Sequence, residues 1–179
     1  MKAVCLLRAV NVGGRQVKMA ELKAMAVDMG FADAQTLLAS GNLVVDAGAR
    51  PSDRLERDFE KAFQERFGFH AEFICRTADE WRALMDACPF PEDQEKRGNR
   101  LLCLVSQGNP AADVVDKLQA IAADGERIAR AGDVVWISFT DEGMGRSKLM
   151  GASTMKAFKV PVTGRNWNTV ARLGALVSD

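Results

Sequence analysis

Residues 36–46, Thr36-Leu37-Leu38-Ala39-Ser40-Gly41-Asn42-Leu43-Val44-Val45-Asp46, decide the fold. Two short apolar runs, 36–39 and 43–46, flank the polar turn Ser40-Gly41-Asn42, which is the composition of a β-hairpin. Before it, Met19, Leu22, Met25, Ala26 and Met29 fall on one face of a helix that Gly30 closes, and residues 2–8 read as a short apolar strand. After it, Pro51-Ser52-Asp53 opens a second helix with Leu55, Phe59, Ala62, Phe63 and Phe67 inward, Gly68 closes that helix, and residues 71–76 form a fourth strand. The hairpin therefore sits at the centre of strand-helix-strand-strand-helix-strand, the order of a split β-α-β unit.

The same order returns further along. Thr77-Ala78-Asp79-Glu80 is a capping box that starts a helix with Trp81, Leu84 and Met85 inward, and residues 89–100 read as a charged connector. Residues 101–105 form a strand, Asn109-Pro110 starts a helix carrying Val114, Leu118 and Ile121, and residues 127–131 and 134–138 flank a Gly132-Asp133 turn. A helix over 147–158, a short strand over 160–162 and a last helix from Gly164 complete the pattern, with Trp167, Val170, Ala171 and Leu173 buried. The expectation is an α+β chain of two ferredoxin-like halves with antiparallel sheets and an extra C-terminal helix. Residues 1–88 form the first half, 89–100 the connector and 101–179 the second half.

Composition agrees with a folded chain. The 179 residues are 47% hydrophobic and balance 24 basic against 24 acidic side chains, which excludes disordered and collagen-like classes. A chain of this size buries on the order of 70% of its unfolded surface, so no metal or disulfide is required to hold it. Arg8 interrupts the apolar start after five residues, short of a signal-peptide core, and no run approaches a membrane span. A cytoplasmic location without membrane contact is expected. Cys5, Cys75, Cys88 and Cys103 share no C-x-x-C spacing and read as buried reduced thiols.

The neutral total conceals an uneven distribution. Residues 1–20 hold four basic side chains and no acid, and residues 143–179 hold six basic side chains against Asp179 alone, while residues 21–142 carry the acidic excess. Basic ends that meet would form a cationic patch; basic ends on separate faces would simply be solvated. In the split β-α-β order, the loop after Arg8 and the Ser40-Gly41-Asn42 turn lie at one end of the sheet. There Gly13 and Gly14 let backbone amides approach an anion, next to Arg8, Arg15, Lys18 and a helix start. The alternative is that the paired glycines only make a turn.

Several segments together carry a resemblance. Leu6-Leu7-Arg8-Ala9-Val10-Asn11-Val12-Gly13-Gly14, Lys18-Met19-Ala20-Glu21-Leu22, Ser40-Gly41-Asn42, Arg76-Thr77-Ala78, Ser147-Lys148-Leu149 and Thr163-Gly164-Arg165-Asn166-Trp167-Asn168-Thr169-Val170 occur in this order along almost the whole chain. This set resembles the bacterial domain of unknown function 1697 family, which usually has Gly where Ala9 stands. The resemblance implies a compact α+β fold of two ferredoxin-like halves and brings no established activity with it.

Candidate ligand-binding residues are Arg8, Asn11, Gly13, Gly14, Lys18, Ser40, Gly41, Asn42, Ser147, Lys148, Arg165, Asn166, Trp167 and Asn168. Helical spacing sets Arg165, Asn168, Thr169 and Arg172 near one face with Trp167 as a buried anchor, and Arg with Asn amides suits a phosphate, carboxylate or base edge. Equally, Thr163, Asn166 and Asn168 can serve as helix caps, and Ser147 as an N-cap beside a surface Lys148. Sharper motifs fail. His70-Ala71-Glu72 lacks the P-C-x-x-C of a zinc deaminase, Ser153-Thr154-Met155-Lys156 lacks its S-D-N and K-T-G partners, and the 143–148 loop fits neither phosphate-loop pattern.

No cofactor and no metal set is implied, and no residue is assigned a catalytic role. The leading reading is a protein that binds a phosphorylated or anionic ligand, a nucleotide or single-stranded nucleic acid, through a basic site shared by the two chain ends. Zero net charge and the lack of a recognition helix speak against duplex DNA. Two alternatives stay open: an enzyme acting on a small acidic substrate with Lys148 or Glu142 moving the proton, and a structural module that pairs through a sheet edge. The sequence does not decide the oligomeric state.

Overall fold

A computed structural model describes residues 1–8 and 16–178, so Asn11, Gly13 and Gly14 lie outside the described residues. The chain divides into two compact units, one made of Met1–Arg82 with the residues from Leu173 onward, the other of Ala83–Arg172. The first unit contains β1 (Lys2–Leu7), α1 (Met19–Asp28), β2 (Gln35–Leu37), β3 (Asn42–Asp46), α2 (Ser52–Phe67) and β4 (Phe73–Thr77), after which α3 (Ala78–Asp86) begins. Its four strands form one antiparallel sheet in the order β2-β3-β1-β4.

Alternation along β1 explains the core. Ala3, Cys5 and Leu7 join Leu43, Val45, Phe73 and Cys75 on one face, where Leu22, Met25 and Ala26 of α1 and Leu55, Phe59 and Phe63 of α2 cover them. Phe31, Phe59 and Phe73 stack in file at centroid spacings of 5.2 and 5.3 Å, and each buried ring adds roughly 1.5–3 kcal/mol of transfer free energy. Val4, Leu6, Val44 and Ile74 on the opposite face are buried too, together with Arg76. Gly68, in the left-handed region at φ 75°, ends α2 where a Cβ would be strained.

The second unit repeats this order with β5 (Leu101–Ser106), α5 (Val114–Gln119), β6 (Arg127–Ala131), β7 (Val134–Ser138), α6 (Ala152–Phe158) and β8 (Val162–Asn166), followed by the start of α7 (Trp167–Ser178). Its sheet runs β6-β7-β5-β8, again antiparallel. Leu102, Leu104, Val135, Ile137 and Val162 face Val114 and Leu118 of α5 and Ala157 and Phe158 of α6. The α+β class and the two antiparallel sheets agree with the sequence pattern.

Four local expectations are corrected. Residues 89–100 are not a bare connector: Pro91 starts α4 (Pro91–Lys96), and a 3-10 turn spans Gly98–Arg100. The 147–158 stretch is not one helix, because Gly151 is extended at ψ 172° and separates a 3-10 turn at Lys148–Met150 from α6. The strand expected at 160–162 is β8 at Val162–Asn166, so Arg165 and Asn166 stand in the sheet and α7 starts at Trp167. Gly164 makes that strand fit, since a Cβ there would come within 3.1 Å of Leu102 and Leu104 side-chain carbons on β5. The hairpin turn also starts two residues earlier than expected and ends one earlier, with β2 ending at Leu37, Leu38 at φ 60° and β3 beginning at Asn42. No helix among the described residues is long and apolar enough to cross a membrane.

Candidate functional site

The end of β1 is set by its neighbours. Leu7 N–H donates to Gly41 O at 2.8 Å and Arg8 N–H to Glu72 O at 3.0 Å, so Arg8 emerges between the Ser40-Gly41-Asn42 turn and the approach to β4. Its Nη1 also donates to Glu72 Oε1 at 3.0 Å, with the Arg8 side chain 33% exposed. One guanidinium edge is thus tethered while part of the group faces solvent. Lys18 is exposed and its carbonyl receives Glu21 and Leu22 N–H, which starts α1 without a side-chain cap. A helix that connects the parallel strands β1 and β2 begins at the end where β1 finishes, so Lys18 and Arg8 belong to the same end of the sheet.

Asn42 sits differently from Arg8. It is fully buried, and its Nδ2 donates to Leu37 O at 2.7 Å and Ser40 Oγ at 3.0 Å, so its amide ties the hairpin turn together. Ser40 is exposed, and Gly41 takes φ 76°. Within the first unit, the Leu7–Gly41 bond sets Arg8 beside the turn, and α1 starts at Lys18 at the same end of the sheet.

The candidates of the second unit have local tasks. Ser147 Oγ accepts Leu149 N–H at 3.1 Å and caps a 3-10 turn, and Lys148 is exposed. Arg165 is buried in β8, and its Nη1 donates to Thr163 Oγ1 at 2.9 Å and Gly164 O at 2.8 Å. Burial pushes this guanidinium down to about 10, with Cys103 opposing the shift, which still leaves it charged at neutral pH. Asn166 Oδ1 accepts Thr169 N–H at 3.0 Å and caps α7. Trp167 is half-buried with its ring 5.9 Å from that of Trp136, and Asn168 is exposed beside Gly98.

The sequence missed a cleft in the first unit. Register places it at the other end of the sheet, since Asp46 lies opposite Lys2 whereas Asn42 lies opposite Leu6. A cleft of about 720 Å³ opens there between residues 30–33 on one side and residues 46–51 with Arg54 on the other. Phe31, Asp33, Asp46, Arg50 and Arg54 are among its lining. The guanidinium of Arg50 lies 4.9 Å from the centre of the Phe31 ring. The local signal was a lone Arg between Gly48 and Pro51, which matches no motif.

Comparison with known proteins places the chain among relatives. No curated protein matches it. A solved structure of the conserved bacterial protein SP0830 from Streptococcus pneumoniae is similar, with a TM-score of 0.77 over 98% of each chain at 20% identity, which shows a shared fold. A family model described as a protein of unknown function (DUF1697) matches residues 1–136, from β1 through Trp136 in β7. That span includes the Arg8 end, the whole first sheet, β5, β6 and the start of β7, and the chain therefore belongs to the DUF1697 family.

Proposed function

We propose that this protein, built from two ferredoxin-like halves, binds a phosphorylated or otherwise anionic ligand, a nucleotide or a short single strand, at the Arg8 end of its first sheet. The observation that carries this reading is the Arg8 guanidinium, held by Glu72 with its side chain partly open to solvent. Lys18 adds a second cation at that end, and the sequence supplies Asn11, Gly13 and Gly14 between them. Asn42 enters as a positioning residue that fixes the turn against which Leu7 is held.

Glu72 has a definite part in this reading. A partly exposed ion pair stabilises by about 1 kcal/mol or less, so an incoming phosphate with several acceptor oxygens can replace or share it. Calorimetry with a panel of nucleotides and short oligonucleotides at low and high salt tests the site. Arg8→Ala is expected to weaken binding at least about tenfold, and Glu72→Gln to strengthen it by removing the competing carboxylate. Affinity that is indifferent to both substitutions would remove the assignment.

A further inference from the structure

The cleft at the opposite end of the first sheet has its own charge logic. Its volume of about 720 Å³ falls in the usual range of small-ligand sites. Two of its four charged side chains are engaged within the protein. Asp46 Oδ1 receives the N-terminal ammonium and Gly48 N–H, each at 3.0 Å. Arg54 Nε donates to both carboxylate oxygens of Asp58 at 3.0 Å. The other two are Arg50 and Asp33. Among the described residues, neither takes part in an ion pair or a side-chain hydrogen bond.

Arg50 is nonetheless held in place. Its guanidinium lies over Phe31, which is itself stacked on the buried Phe59, so a rigid aromatic file carries a cation whose hydrogen-bonding edges are unspent. The same pair forms the wall to an adjoining groove lined by Met29, Lys61 and Glu65. The cleft therefore offers one oriented cation and one separate carboxylate. A ligand with only negative charge would meet the unengaged Asp33 as well as Arg50, and one with only positive charge would meet Arg50 as well as Asp33. We propose that this cleft binds a small zwitterion, an amino acid or short peptide, whose carboxylate lies against Arg50 and whose ammonium lies against Asp33.

Isothermal titration of the full chain tests this with two arms, the common free amino acids and a set of di- and tripeptides. Acetate, methylammonium and inorganic phosphate serve as single-charge controls. A zwitterion in one arm is expected to bind at least about tenfold more tightly than any control. Arg50→Met keeps an apolar stem over Phe31 and removes the charge; it and Asp33→Asn should each cost about tenfold or more. Arg8→Ala should leave this binding unchanged, which separates it from the site at the other end. Phosphate or acetate binding as well as every zwitterion, no binding in either arm, or unchanged affinity in Arg50→Met and Asp33→Asn would each overturn the proposal.

Discussion

Asn42 and Leu38 bear opposite relations to the same turn. Asn42→Ala removes the donors that reach Leu37 O and Ser40 Oγ from a fully buried position. The expected loss is about 1–3 kcal/mol, read as a lower urea midpoint at unchanged slope. Leu38 holds φ 60° with 49% of its surface exposed. Leu38→Gly relieves left-handed strain and is expected to raise stability by about 1 kcal/mol on the same curve. Single-residue roles were the least legible feature of the sequence. An Asn in a glycine-bearing turn looks the same whether its amide faces a ligand or folds back on the backbone, and only burial separates the two. Arg165 was misplaced for a related reason, because Gly164 reads as a break and in fact stands inside β8, where it makes room for Leu102 and Leu104 of β5. Arg50 gave no motif at all, since its meaning comes from Phe31, nineteen positions earlier in the sequence.

Both sheets hand their fourth strand to a helix in the same way. β4 ends Arg76-Thr77 and β8 ends Arg165-Asn166, a buried guanidinium followed by a residue that caps the next helix. Thr77 Oγ1 accepts Glu80 N–H at 3.3 Å while Glu80 Oε2 accepts Thr77 N–H at 2.7 Å; Asn166 Oδ1 accepts Thr169 N–H at 3.0 Å. Thr77→Ala and Asn166→Ala are each expected to cost about 1 kcal/mol in urea unfolding. Only the first cap titrates. Partial burial pushes the Glu80 carboxyl up, but hydrogen bonds from Ser52 and Thr77 outweigh this and leave it below its ordinary 4.5. A carboxyl lowered in the folded state stabilises above its unfolded value and loses that contribution as pH falls through the folded one. The stability gap between the native protein and Glu80→Gln should therefore be full at neutral pH and shrink below about 4.5. The capping box was legible because its four residues are local. The boundary of β8 was not, because it depends on pairing with β5, about sixty residues away in sequence.

The four thiols report on the molecule as a whole. Cys5, Cys75, Cys88 and Cys103 are all buried and in no disulfide. Cys5 and Cys75 stand opposite each other on β1 and β4, while Cys88 and Cys103 belong to the second unit. Burial raises the Cys75 thiol well above its ordinary range, and the neighbouring Cys5 adds to the shift; burial also raises Cys88. Thiolate, the reactive form, is thus scarce as well as inaccessible at Cys75 and Cys88. Ellman's reagent should find essentially no fast-reacting thiol in buffer and four in guanidinium. Slower labelling then measures opening, since each cysteine reacts only when its own surroundings loosen. Cys88, next to the exposed Pro89 and outside both sheets, should label first. Cys5 and Cys75 share one core and should label together, whereas Cys103, central in the other sheet, should follow its own rate. Peptide mapping by mass spectrometry reads the three rates separately. If Cys5, Cys75 and Cys103 instead label at one common rate across denaturant concentrations, the two compact units open as a single cooperative body, and the order repeated along the sequence describes architecture without describing independent stability.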